Sequence, residues 1–155
     1  MSAPKSVVRF RKGGIVYESK VDFACYTLVE LSRAAMRDVG KFITRTANSA
    51  AMKLPGLKRS RRVRGRTSTF RWTVPWAASG LPHLEVGVTH GTWYGVEQEL
   101  GSSKMPKHGI LRNAAHDNIA KIIEIESKYL SALEDEARAL SLIDEGESSG
   151  GGEDD

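Results

Sequence analysis

Apolar and polar positions alternate at the start of the chain. Val8 and Phe10 are interleaved with Arg9 and Arg11, and Ile15 and Tyr17 resume the alternation after Lys12-Gly13-Gly14. A period of two with glycines at the reversal predicts a short β-hairpin. From Val21 the period changes: Val21, Cys25, Leu28, Ala35, Val39, Phe42, Thr46 and Ala50 recur at helical spacings. This predicts an amphipathic helix from about Asp22 to Lys53, halted before Pro55. Such a helix is roughly 48 Å long at the usual rise per residue, longer than a compact domain of this size is wide. Gly40 in its interior marks a bend or a close approach.

Leu54 to Arg66 has no apolar periodicity and reads as an exposed loop. Thr67 to Val74 places Phe70, Trp72 and Val74 on one face of a strand, which Pro75 ends or confines to an edge. Ser79-Gly80 and Pro82 mark a turn, and Leu84, Val86 and Val88 alternate in a second strand, expected antiparallel to the first. The stretch after Gly91 has no clear period and reads as an irregular connector. From Ile110, a stripe through Leu111, Ala115, Ile119, Ile122, Ile123, Tyr129, Leu130, Leu133, Ala137 and Leu140 predicts one further long helix to about Leu142. The expected fold is α+β: a small antiparallel sheet of β-hairpins packed against two long helices. A long basic loop and a disordered acidic C-terminal tail complete it. Residues 1–144 form one domain, and residues 145–155, rich in Glu, Asp, Ser and Gly, form the tail.

Composition changes this picture little. A chain of 155 residues, 40% hydrophobic and 27% charged, is expected to fold as one soluble domain. No window approaches the ~18 apolar residues of a membrane span. The first dozen residues carry no apolar core followed by a cleavage site, so no secretory signal is expected. The single cysteine, Cys25, rules out an intrachain disulfide and, lying on the apolar stripe, is expected to be buried and inert.

Charge adds more. Eight basic residues and no acid fall between Lys53 and Arg71, among them Lys58, Arg59, Arg61, Arg62, Arg64 and Arg66. Nine acids and one base, Arg138, fall between Glu134 and Asp155. Such asymmetry points to electrostatic partners. The basic run suits the phosphates of DNA or RNA, an acidic protein surface, or solvent, and the sequence leaves all three open.

Catalytic and metal chemistry find little footing. His83 and His90 are seven apart in a strand region and face opposite ways, His108 is in a loop, and His116 has no partner one helical turn on. No nucleophile elbow or phosphate-cradling glycine loop occurs. Glu97 and Glu99 would share a face if their segment were extended, as a hydrolase pair might, but an exposed or intersubunit ion pair explains them better. No metal, cofactor or enzymatic activity is expected.

Two segments carry a resemblance. Tyr94-Gly95-Val96-Glu97-Gln98-Glu99-Leu100-Gly101-Ser102 is followed closely by Lys104-Met105-Pro106-Lys107-His108-Gly109-Ile110-Leu111-Arg112-Asn113-Ala114. Together they resemble the signature of the head–tail joining, or tail-completion, proteins of long-tailed bacteriophages. There a tyrosine–alanine pair leads to glutamate, an aromatic residue, glycine and threonine. A Met-Pro-Ala-Arg-Pro-Phe-Leu-Arg-Pro-Ala run then opens the last helix. Tyr94, Glu99, Gly101 and Ser102 fall on the first part, and Met105, Pro106, Leu111, Arg112 and Ala114 on the second without a gap. Lys107 to Ile110, Asn113 and Leu100 depart from it. The resemblance implies a structural virion protein, made in the host cytoplasm and placed at the phage neck. It would form a homo-oligomeric ring between the head-side portal or connector and the tail tube or tail terminator protein. Packaged DNA in the lumen would give the basic loop a partner, and Tyr94, Glu99, Gly101, Ser102, Met105, Pro106, Leu111 and Arg112 would make subunit or partner contacts. A basic nucleic-acid-binding module using the Lys53–Arg71 loop is the alternative.

Overall fold

The computed structural model describes residues 4–5, 7–54, 70–89, 93–104 and 106–148. Among these, β1 (Val8–Lys12) and β2 (Ile15–Ser19) precede α1 (Val21–Met52), and β3 (Phe70–Thr73) and β4 (Glu85–Val88) follow it. The chain continues through α2 (Trp93–Leu100), α3 (Ile110–His116), α4 (Ile119–Ser131), a 3₁₀ turn (Ala132–Glu134) and α5 (Glu136–Ser148). The fold is therefore mixed helix and strand, with two separate two-stranded antiparallel sheets, β1–β2 and β3–β4. No helix among the described residues is long and apolar enough to cross a membrane.

α1 is the spine, as its periodicity predicts. Its first half supplies Leu31, Ala34 and Ala35 to a core shared with Tyr129, Ala132, Ala139, Leu142 and Ile143. Its second half supplies Val39, Ile43, Ala47 and Ala51 to a second core with Phe70, Ile110 and Ala114. Alanines along this face let the partner elements approach closely, and Ile125 packs against both clusters. The Tyr129 phenol donates a hydrogen bond to the Asp38 carboxylate, tying α4 to α1 where the two cores meet. Burial, then the bond to Asp38, holds that phenol well above the usual tyrosine range.

β3–β4 lies on the second half of α1. A Cβ on Gly40 would meet the Trp72 ring at 2.8 and 2.9 Å and Leu84 Cδ1 at 3.0 Å, so this glycine admits the hairpin onto the helix. Asn48 fixes the start of β3 from both sides: its Nδ2 donates to the Phe70 carbonyl and its Oδ1 accepts from the Phe70 amide, each at 3.2 Å.

Four expectations are corrected. The second long helix is three helices: α3 stops at His116, and α4 and α5 are parted by the 3₁₀ turn and by Asp135 in extended conformation. Asp135 Oδ1 accepts from the amides of Ala137 and Arg138 at 3.0 and 3.4 Å, a side-chain cap that starts α5. Second, α5 continues into the acidic segment as far as Ser148. Third, Cys25 is exposed, because nothing among the described residues covers the first turns of α1. Fourth, among the described residues only β3–β4 packs on helices, while β1–β2 has no substantial packing on any other element. The basic residues Lys58, Arg59, Arg61, Arg62, Arg64 and Arg66, together with His90, lie outside the described residues.

Candidate partner-contact site

The stretch that reads as a connector is a closed clasp. α2 occupies its first part, with Gly95 and Gln98 buried. Gly101 ends the helix at φ +82, its amide donating to the Glu97 carbonyl at 2.8 Å. This is the left-handed stop that glycine adopts without strain. The chain then returns along the last turn of α2: the His108 amide donates to the Gln98 carbonyl at 3.0 Å and the Gly109 amide to the Glu99 carbonyl at 3.3 Å. A Cβ on Gly101 would meet the Lys107 amide nitrogen at 3.0 Å, so the two ends of the loop touch there.

Glu99 locks the clasp. Its Oε2 accepts from the Leu111 amide at 2.7 Å and its Oε1 from the Arg112 amide at 3.2 Å. One carboxylate thus satisfies two of the orphan donors of α3 and sits at the positive end of its dipole. Gly109, at φ +58, opens that helix with no side-chain cap of its own, and Glu99 takes over the task. The expectation that Glu97 and Glu99 share a face is corrected: both lie on α2, where residues two apart point about 200° from one another. Glu99 binds backbone, and no paired-carboxylate geometry forms.

The site residues predicted from sequence therefore divide. Glu99, Gly101, Leu111 and Arg112 meet at one junction, with Leu111 packed against the second core and Arg112 exposed. Ser102 and Pro106 are exposed on the loop, beside Lys104 and Lys107. Tyr94 is in α2, but its side chain and all of Met105 lie outside the described residues. The clasp is built from within, and the surface it offers outward is Ser102, Lys104, Pro106, Lys107 and Arg112.

A second constellation was not singled out from sequence. Arg33 and Arg37, one turn apart on α1, and Arg71 on β3 line an open cleft of about 580 Å³ with Glu85 at its margin. The Arg33 guanidinium lies 5.2 Å from the Trp76 ring centroid and 3.8 Å from Glu30. Among the described residues, the Nε atoms of Arg33 and Arg71 are buried with no hydrogen-bond partner. Such donors favour an anion. The i, i+4 arginines were a legible signal, but their meeting with Arg71 needs the fold. Among the described residues no group of three or more histidine, cysteine or acidic side chains is placed to hold a metal ion. Compared with protein-family models, curated proteins and solved structures, the chain matches none of them.

Proposed function

We propose that this chain is a non-catalytic structural protein of the neck of a long-tailed bacteriophage. It forms a homo-oligomeric ring joining the head-side portal or connector to the tail tube or tail terminator around the DNA channel. The observation that carries this reading is the clasp. The two segments that resemble the head–tail joining signature come together in space, with Glu99 and Gly101 in roles that only those residue types fill well. The order of long helix, basic segment, β-hairpin, motif and terminal helices supports it as well. The test is complementation. Heads and tails made without this chain should accumulate unjoined and join when purified chain is added. Joining at the same rate without it would overturn the reading.

The arginine cleft favours a second reading, a nucleic-acid-binding module. Arg71 closes the basic run and shares a cleft with Arg33 and Arg37, so phosphates would be held there and along residues 53–71. Free-solution affinity for duplex DNA that falls steeply with salt, and that drops on Arg33→Ala with Arg71→Ala, would select this reading. DNA affinity too weak to detect at low salt would remove it.

A further inference from the structure

The free β-hairpin has the build of a docking arm. Its turn is Gly13-Gly14, with φ of +59 and +83, the two-residue turn whose twist matches the strands it joins. The register pairs Val8 with Ser19, Phe10 with Tyr17 and Lys12 with Ile15 on one face, and Arg9 with Glu18 and Arg11 with Val16 on the other. One face is therefore apolar. The Phe10 and Tyr17 rings stack at 5.3 Å, yet Phe10 remains 53% exposed, Ile15 58%, Tyr17 44% and Val8 39%. A two-stranded hairpin alone in water is marginal at best, and an apolar face this open wants a cover.

The same chain carries an apolar groove that its own hairpin does not fill. Leu28 and Met36 of α1 face Leu130 of α4 and Leu133 of the 3₁₀ turn across a hollow of about 210 Å³, with Glu126 at the rim. Leu28, Leu130 and Leu133 are exposed, and Val21 extends the apolar strip toward the start of α1. The charges match. Residues 5–20 carry Lys5, Arg9, Arg11, Lys12 and Lys20 against Glu18 alone, whereas residues 119–145 carry seven acids against three bases.

We infer that the apolar face of β1–β2 docks into the groove between α1 and α4 of a second copy of this chain, with Phe10 and Tyr17 as the anchors. The hairpin and the groove are different surfaces, so the contact passes head-to-tail from copy to copy and closes into a ring where the rotation between copies allows. It rests on the ring reading above and supplies that ring's contact. Aromatic anchors entering an apolar hollow that carries Glu126, between segments of opposite net charge, are the usual makings of a specific interface.

The test uses the full chain with Cys25→Ser, since that thiol is exposed. Phe10→Cys on a size-tagged chain is mixed with Leu130→Cys on an untagged one and oxidised. A disulfide-linked heterodimer is expected. In parallel, Phe10→Ser with Tyr17→Ser should lower the association constant by about a hundredfold or more while leaving the helical circular-dichroism melt in place. Lys12→Glu, on the docking face, should weaken association by about tenfold, with partial rescue by Glu126→Arg. An oligomer that persists through the serine changes, with no cross-link, overturns the docking and leaves the ring standing. A cross-link formed only inside a chain carrying both cysteines overturns it in favour of packing in cis. A wild-type chain that stays monomeric at every concentration overturns both the docking and the ring.

Discussion

The two β-hairpins of this molecule are near copies in plan and opposites in situation. β1–β2 has the better local design: five-residue strands, a two-glycine turn, a stacked aromatic pair, and an Arg9–Glu18 ion pair at 2.8 Å. β3–β4 has four-residue strands joined through a long turn that a lone Trp76–Pro82 bridge helps to close. Yet it is β3–β4 that is held. Phe70 is 1% exposed, Asn48 clamps its backbone, and Trp72 rests on Gly40. Turn and pairing signals give a hairpin its shape, and an apolar surface to lie on gives it most of its stability. One hairpin finds that surface in its own chain. The other, on our account, finds it in the next.

The comparison breaks or sharpens by mutation. The largest effect is expected from Phe70→Ala, which empties the core under β3–β4 and should cost about 3–5 kcal/mol in denaturant unfolding. Phe10→Ala, the same change on the free hairpin, should shift monomer stability by less than about 0.5 kcal/mol, and a comparable loss at both sites would erase the contrast. Next is Gly40→Ala, whose methyl must displace the Trp72 ring. A destabilisation of about 1–3 kcal/mol is expected, with a lower melting temperature and altered tryptophan fluorescence.

Gly101→Val tests the clasp, whose α3 carries Ile110 and Ala114 into the core beneath β3–β4. A β-branched residue at φ +82 against Lys107 should cost about 1–3 kcal/mol, whereas Glu97→Ala should stay within about 0.5 kcal/mol. Equal melting temperatures for the two would undo this account of the turn. The smallest effect belongs to Tyr129→Phe, on the wall of the groove, at about 1 kcal/mol at neutral pH. The phenol's pKa is raised in the native state, so its contribution is complete below the ordinary value near 10. It is lost as pH rises beyond that value, because the unfolded chain ionises first. The phenylalanine variant should therefore show a shallower alkaline decline in stability than wild type, and an identical decline would contradict the assignment.

Much of the fold was legible because period carries it. α1 keeps one phase over 32 residues, and both hairpins announce themselves by alternation and turn residues. α2 was not legible: eight residues with Gly95 inside are too few to show a period. The breaks at Asn118 and Asp135 were hidden by apolar spacing that continues through them in sequence, but in the fold Ala137 and Leu140 are exposed and Ala139, Leu142 and Ile143 are buried instead. Cys25 shows the limit from the other side. Its place on the stripe predicts a cover, and no element among the described residues supplies one. Of the candidate site, Gly101 was marked in advance only through the resemblance its segment carries. Glu99 bonding to amides a dozen residues on, Asn48 holding β3, and Arg71 joining Arg33 and Arg37 are juxtapositions that only folding makes.

Copies of this chain are proposed to form a ring between head and tail, and averaged electron micrographs of phage necks are the sharpest test of that proposal. With the chain tagged at its C-terminus by a small electron-dense label, density should appear as a closed ring of labels at the head–tail junction and vanish in particles lacking the chain. Labels scattered along the tail, confined to the capsid interior, or absent from the particle would contradict it.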